Sequence, residues 1–416
     1  MPEPDRPRLL LISQVYVPDP TAVGQHFADV AEEMARRGWE VHVLTSARAY
    51  DDPTIRFPVR EVRNGVHIRR LPLSSFGKRS IAIRLLAQAS FMTQALVRSL
   101  FMPRLSAVVV STSPPFAGFG GACISIVRRV PFLWWVMDLN PDQMIAAGKL
   151  SPRSMFVRLF DWMNRVTLRR ATKVIALDRY MAERLTRKTD VADKLDVIPP
   201  WPHTEPPPLD AAGERRLAEA GKSFRARHGL DGAFVVMYSG NHAIQHPLDT
   251  LLAAAAQLEQ EPGLMFVFIG GGAGKPAIER RIASGAPNLR SLPYQPLETL
   301  DDSLGAADLH VVSMGPEVVG IVHPCKIYGA MAVARPILFF GPGGSHAGEL
   351  VEPGGLGWRV EHGDVAGAVL AIMRAKNLSQ PERLAMGCRA AALVASDFSR
   401  RLLIDRVCNA VGTMLA

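Results

Sequence analysis

Short apolar runs alternate with segments of helical period along this chain, twice over, with one proline-dense break between the two series. Strand-like runs at Arg8 to Ser13, Glu40 to Thr45, Ala107 to Ser111, Phe132 to Met137, Lys173 to Leu177 and Leu195 to Ile198 are separated by helical patterns such as Phe27 to Arg37 and Met155 to Arg170. The pattern restarts at Phe234 to Ser239, Leu264 to Ile269, Leu289 to Leu292, Leu309 to Val312 and Pro336 to Phe340, with helices near Leu248 to Gln260 and Ala277 to Ala283. Apolar strands without strict alternation are buried on both faces, which predicts parallel sheets with crossover helices. Between the series, Ile198 to Pro208 carries too many prolines for a helix or a central strand and reads as a linker. The expected fold class is α/β, with two doubly wound Rossmann-like domains. Both sheets then put their carboxyl ends at a shared cleft, the usual place for a ligand.

A chain of 416 residues, 48% of them hydrophobic, has enough material for two cores. Lys and Arg number 48 against 39 Asp and Glu, an excess that favours anionic partners. Nucleic acid is an expected non-partner, because no helix-turn-helix, zinc-finger or RNP element accompanies the charge. Cys123, Cys325, Cys388 and Cys408 are scattered without a C-x-x-C pair, which argues against a disulfide framework or a zinc site and for a cytoplasmic chain. The apolar start Leu9 to Ile12 is too short for a signal-peptide core.

From Ser80 to Pro103 an apolar stretch contains Arg84, Gln88, Gln94 and Arg98, which are costly in hydrocarbon and argue against a spanning helix. At helical period it gathers Ile83, Leu86, Phe91, Ala95 and Leu100, fringed by Lys78, Arg79, Arg84, Arg98 and Arg104. Two structures share that pattern: a core-facing helix, or one lying on an anionic membrane surface.

Several loops carry ligand-type chemistry. After the first strand, Val17 to His26 includes Gly24, where backbone amides can approach a phosphate or where the chain simply turns into a helix ending at Gly38. Ile269-Gly270-Gly271-Gly272-Ala273-Gly274-Lys275-Pro276 looks like a phosphate loop, yet Ile269 stands where the first glycine is required and Pro276 where Ser or Thr would meet magnesium. It is a strand-to-helix turn, open to two uses: a close approach to a nucleotide, or chain reversal alone. Ser239-Gly240-Asn241-His242, with His246-Pro247 beyond, supplies small residues, an amide and imidazoles at a strand's carboxyl end. His242 and His246 have no third ligand in the pattern, so no metal is expected, and no G-x-S-x-G element supports a hydrolase. Asp138 in Trp134 to Asp142 and Asp178 after Val174 to Leu177 are either functional or turn and cap residues.

The densest stretch is Glu317-Val-Val-Gly320-Ile321-Val322-His323-Pro324-Cys325-Lys326-Ile327-Tyr328-Gly329-Ala-Met-Ala332. Together with the Gly24 loop, Ser239 to Asn241, His246 to Leu252 and Gly270 to Gly272, it resembles glycosyltransferase family 4, in particular its bacterial exopolysaccharide, colanic-acid and O-antigen branch. The likeness covers most of the chain. It implies the GT-B fold, with residues 1–200 as an acceptor-side domain, 201–395 as the nucleotide-sugar donor domain, and a helix over 396–416 packing back on the first domain. It further implies a retaining transfer from a nucleotide-diphosphate sugar to a saccharide or polyprenyl-diphosphate-linked acceptor, without a metal or other cofactor. The expected location is the cytoplasm, peripherally on the inner face of the cell membrane.

By position, the resemblance makes Glu317, Lys326 and Asp138 the catalytic candidates. It makes Gly24, Ser239, Gly240, Asn241, His246, Gly270, Gly271, Gly272, Gly320, Ile321, Val322 and Tyr328 the donor-binding set. Glu317 matches the first acid of an E-x7-E motif, whereas the second is missing: Cys325 stands at the strict offset and Gly329 before Ala-Met-Ala. The loop at Asn241 and His246 lacks the Arg and Lys of related sequences, so Lys326 is expected to replace them as the charge facing the leaving diphosphate, with His246 adding a hydrogen bond or part of a charge. Two other readings remain: a non-hydrolysing sugar-nucleotide epimerase, and a non-catalytic nucleotide-sugar-binding protein.

Overall fold

The structure is a computed structural model describing residues 6–19, 21–49, 52–74, 81–208, 213, 216 and 219–415. The chain divides into two compact units. One comprises residues up to Pro199, the short segment Gly320–His323 and the C-terminal Arg401–Ala416; the other comprises Pro200–Val319 and Pro324–Arg400.

The first unit is built on β1 (Arg8–Ile12), β2 (Glu40–Ser46), β3 (Arg60–Arg63), β4 (Val66–Leu71), β5 (Leu105–Val110), β6 (Phe132–Trp135), β7 (Lys173–Ala176) and β8 (Leu195–Val197). They form an eight-stranded sheet in the order β3-β4-β2-β1-β5-β6-β7-β8. All neighbours are parallel except β3 and β4. The chain winds outward from β1 through β2 on one side and from β5 on the other, so the switch point lies between β1 and β5. Leu9, Leu10, Leu11, Val108, Val109 and Leu133 are fully buried, as expected of central parallel strands covered on both faces.

Helices α1 (Ala22–Arg36), α2 (Ile81–Leu100), α3 (Ala117–Arg128), α4 (Asp142–Ala146), α5 (Met155–Arg170) and α6 (Arg179–Lys188) make the crossovers. Thr21 caps α1 by accepting from the Gly24 amide, and Gly38 just past its end has φ +89°, which glycine alone adopts without strain. The β3–β4 hairpin has no counterpart in the sequence reading. β3 is polar and largely exposed and β4 sets charged residues among buried apolar ones, but Asn64 and Gly65, both at positive φ, form the two-residue turn that an Asn-Gly pair favours.

In the second unit β9 (Phe234–Ser239), β10 (Leu264–Ile269), β11 (Leu289–Leu292), β12 (Leu309–Ser313), β13 (Ile337–Phe340) and β14 (Gly357–Val360) are all parallel, in the order β11-β10-β9-β12-β13-β14. The switch point falls between β9 and β12. Along β9, Phe234, Val236 and Tyr238 enter one core cluster, and Val235 and Met237 the opposite one. Period-two alternation thus feeds two layers, each buried large apolar side chain contributing about 1.5–3 kcal/mol. Around this sheet lie α7 (Lys222–His228), α8 (Asp249–Gln257), α9 (Lys275–Ala283), α10 (Leu300–Gly305), α11 (Lys326–Ala332), α12 (His346–Val351), α13 (Val365–Asn377) and α14 (Gln380–Asp397).

The last helix, α15 (Arg400–Gly412), belongs to the first unit from Arg401 onward. Val407 and Cys408 are buried, Asp405 and Asn409 accept from the Arg37 guanidinium at 2.6 and 2.7 Å, and Arg406 donates to the Val197 carbonyl. Among the described residues no helix is long and apolar enough to cross a membrane. In the basic fringe of α2, Lys78 and Arg79 lie outside the described residues, as does the Arg84 side chain.

Candidate active site

In the second unit, the loops leaving β9 and β12 meet at the switch point. His246 Nδ1–H donates to the Ser313 carbonyl at 2.7 Å, the Ser313 hydroxyl donates to the Pro247 carbonyl at 2.5 Å, and the Gly315 amide donates to the Gln245 carbonyl at 3.0 Å. These bonds hold the segment carrying Glu317 against the loop carrying Asn241 and His246. Burial, and then the Lys326 charge, push the His246 pKa down to about 3. That corrects one expectation: His246 is neutral at physiological pH and offers a hydrogen bond but no charge.

Lys326 opens α11, and its ammonium lies 5.3 Å from the centroid of the buried Tyr238 ring. Gly240, at φ +128°, leaves the space for it: a methyl there would lie 2.5 Å from Lys326 Cε. No described carboxylate pairs with this ammonium, and burial lowers its pKa to about 8. The Ile327 and Tyr328 amides at the helix start already donate to the Pro324 and Cys325 carbonyls. The Glu317 carboxylate is exposed and folds back over Gly315, 3.0 Å from where a side chain there would begin.

Beside this pair, the glycine turn after β10 is packed backbone to backbone. Gly270 and Gly272 have φ +125° and +127°; a methyl on Gly270 would strike the Gly240 carbonyl oxygen at 2.2 Å, and one on Gly272 the Asn241 amide oxygen at 2.3 Å. The Gly271 carbonyl accepts the His242 amide at 2.7 Å and His242 Nδ1–H at 3.1 Å, while Lys275 reaches back to the Gly270 carbonyl at 2.8 Å. Close approach between two loops therefore accounts for these glycines. Among the described residues no three His, Cys, Asp or Glu side chains come together to hold an ion. Ser239 ends β9, half-buried, and Asn241 beyond it is exposed.

Two donor-set expectations change. Tyr328 is fully buried, bonded through its hydroxyl to His346 Nε2 at 2.9 Å and packed on Phe398 at 5.1 Å. It braces α11 from within, since its position three residues into the first turn points it at the core. Gly24 has its amide taken by Thr21, and a methyl there would sit 3.0 Å from Tyr16 Cα. Tight packing of α1 on the preceding loop, rather than a phosphate, explains it.

The first unit has its own site at its switch point. A cavity of about 450 Å³ opens beyond the ends of β1, β5 and β6, where Gln14, Thr112 and Asp138 face Phe116, Phe156 and Phe160. Thr112 Oγ1 accepts the Asp138 amide at 3.1 Å, which fixes the backbone, while no described donor takes the carboxylate. Burial raises its pKa to about 6. Asp138 is therefore not a turn cap; its carboxylate is aimed into a mostly apolar cavity and titrates near neutrality.

Gly320, Ile321 and Val322 are buried in this unit too. The Ile321 carbonyl accepts the Leu139 amide at 2.9 Å, and Gly320, at φ +70°, lies so close to Tyr180 that a methyl would be 2.5 Å from its carbonyl oxygen. No described acceptor takes the amides of residues 320–322. Asp178 does two things: Oδ1 caps α6 through the Met181 amide at 2.8 Å, and Oδ2 accepts His323 Nδ1–H at 2.7 Å in full burial. The sequence reading quoted His323 without a role; its place directly before the Pro-x-Lys turn was the available signal. We expect Asp178→Ala to cost about 2–4 kcal/mol, adding a lost cap to a lost buried charged bond. Denaturant unfolding measures this, and a loss under 0.5 kcal/mol would contradict the assignment.

Two doubly wound sheets, each with polar groups gathered at its switch point, give the chain the GT-B fold. HepE from Anabaena, solved with UDP and glucose, has this fold at a TM-score of 0.70 and 14% identity, over 98% of this chain and 100% of that one. Residues 21–201 match the glycosyl transferase 4-like domain. The chain carries this match over just under half of its length. It is 23% identical over 359 residues to the Escherichia coli K12 protein designated a colanic acid biosynthesis glycosyl transferase, WcaI, covering 83% of this chain and 86% of that one. It is 26% identical over 348 residues to the alpha-D-kanosaminyltransferase of Streptomyces kanamyceticus, covering 79% and 83%.

Proposed function

We propose that this glycosyltransferase moves a sugar, with retention at the anomeric carbon, from a nucleotide-diphosphate donor to a saccharide or polyprenyl-diphosphate-linked acceptor in cell-surface polysaccharide synthesis. The observation carrying the reading is Lys326: a desolvated ammonium without a described carboxylate partner, at the switch point of the second unit. Such a charge invites an anion, and a diphosphate leaving from a loose, oxocarbenium-like transition state gains most from it.

In this reading Lys326 takes the negative charge that grows on the diphosphate as the sugar–oxygen bond breaks. Glu317 orients the sugar, and the amides of Gly320, Ile321 and Val322, which no described acceptor takes, are the first unit's donor-binding candidates. Ser239, Gly240, Asn241, neutral His246 and the Gly270–Gly272 turn shape the nucleotide side. With Lys326 supplying the charge, the transfer needs no metal.

Asp138 faces the acceptor. The phenylalanines around its cavity suit an apolar carrier next to the reacting hydroxyl. The reading places the protein peripherally at the cytoplasmic membrane face, supported by exposed apolar residues on three helices of the first unit: Leu86 on α2, Val127 on α3, and Met155 and Trp162 on α5.

Calorimetric titration with UDP, GDP, dTDP and ADP and their sugar conjugates tests the donor side. One nucleoside diphosphate should bind selectively and lose affinity in Lys326→Ala, and NMR of the product should show the donor's anomeric configuration kept. Folded protein that binds none of them, or an inverted product, would refute the proposal.

A further inference from the structure

The first unit contains a second and larger concavity, of about 710 Å³, on the α2-covered face of the sheet toward the amino ends of its strands. Asp138 sits at the opposite, carboxyl end of the same parallel sheet. Arg69 of β4 and Arg98 of α2 line this concavity, with His42 and His67 stacked beside them at 5.0 Å between ring centroids. Val97 and Phe101 form its rim.

Its charge balance is unusual. Glu40, the nearby acid, is already used: it accepts Arg8 Nη2 at 2.7 Å and His42 Nε2 at 2.8 Å. Arg69 stands opposite Arg60 in the hairpin register and close to Arg98, and none of the three has an ion pair with a described residue. Burial, followed by the Arg98 and Arg60 charges, holds the Arg69 guanidinium below its usual range. Like charges crowded in a half-buried pocket are destabilising unless an anion joins them.

The rim identifies which anion. Phe101 is 82% exposed and Leu86 64%, with Val97 and Leu100 exposed on the same stripe of α2. A soluble phosphate would leave that stripe in water, whereas a phospholipid satisfies headgroup pocket and apolar rim together.

We infer that this cavity binds the phosphate headgroup of an anionic membrane lipid, Arg69 and Arg98 taking the phosphate oxygens while Phe101 and Val97 enter the acyl layer. The inference rests on the membrane location proposed above and adds to it a defined lipid site, separate from the acceptor cavity.

The test is co-sedimentation of the full chain with phosphatidylcholine vesicles, with and without phosphatidylglycerol, alongside calorimetry with inorganic phosphate. Wild type should bind the anionic vesicles selectively. The double variant Arg69→Gln, Arg98→Gln should lose about thirtyfold in partitioning, from roughly 1 kcal/mol per basic residue, and Phe101→Ser should also weaken it. Transfer to a soluble acceptor should stay at the wild-type level, and the melting temperature of the lipid-free double variant should not fall. Equal vesicle binding by wild type and the double variant would overturn the lipid site while leaving the membrane location standing. Wild type that binds no vesicles would overturn both, and tight binding of inorganic phosphate without vesicle binding would assign the pocket to a soluble ligand instead.

Discussion

Lys326→Ala should lower kcat by about 10²- to 10³-fold, the usual scale for removing one preorganised charge from a developing anion. The structure explains why no nearby side-chain charge would compensate: His246 is held neutral by burial, and Lys275 is tied to the Gly270 and Leu292 carbonyls. The ammonium titrates at about 8 in the free protein, so kcat/KM should fall as pH rises through that value. A bound diphosphate favours the charged form, so the corresponding fall in kcat should come at higher pH.

Stability should move the other way. The folded-state pKa lies below the ordinary lysine value of about 10.5, so between pH 8 and that value the unfolded chain binds more protons. Stability from this group therefore rises across that window, and below it the folded protein carries the cost of a buried charge. Lys326→Met keeps the packing against Gly240 and Tyr238 and removes the charge, so it should melt at a higher temperature near neutrality while being nearly inactive. Wild-type turnover in Lys326→Ala, or a kcat/KM flat through pH 8, would refute the role.

The glycine turn should give a graded series. Gly270→Ala meets two penalties at once: a strained backbone at φ +125°, worth about 1–3 kcal/mol, and a methyl 2.2 Å from the Gly240 carbonyl oxygen, where only backbone can yield. Its expected cost is about 3 kcal/mol or more, together with loss of donor binding, because moving Gly240 moves the wall behind Lys326. Gly272→Ala, strained at φ +127° but facing the end of the Asn241 side chain, should cost less. Gly271→Ala has no positive φ and an ordinary 3.4 Å contact with Tyr294, and should stay within about 0.5 kcal/mol of wild type. Denaturant unfolding and donor titration of the three variants provide the check. Equal effects at all three positions would show that close loop packing is not what selects these glycines.

The parts of the fold legible in the sequence were those where one local signal suffices. The apolar runs Leu9–Ile12, Val108–Val110 and Val235–Tyr238 are strands buried on both faces, and the runs separate cleanly at the prolines after Ile198. The β3–β4 hairpin escaped that reading because its strands are charged and lie toward the sheet edge, although Asn64-Gly65 marked the turn. The half-buried β14 escaped it too: Gly357-Trp-Arg-Val360 is short and interrupted by charge.

Residue type and chain position singled out Lys326, Glu317 and Asp138 as candidates, but not the surroundings that give them their properties. A lysine becomes an isolated charge titrating near 8 only through what lies around it, including Gly240 and Tyr238, more than eighty residues earlier in the chain. Asp138 could equally have capped a turn, until Thr112 took its amide and left the carboxylate to the cavity. Tyr328 lies two positions from Lys326 and still faces the core. Residues 320–323 sit between two stretches of the second unit, yet Asp178 and Leu139 hold them in the first. Local periodicity and turn chemistry act over a few residues and are written in order along the chain, so strands, helices and linker could be read from it directly. Burial, pairing and the titration of a charged group depend on atoms brought together across long separations, and those were decided only when the sheets closed.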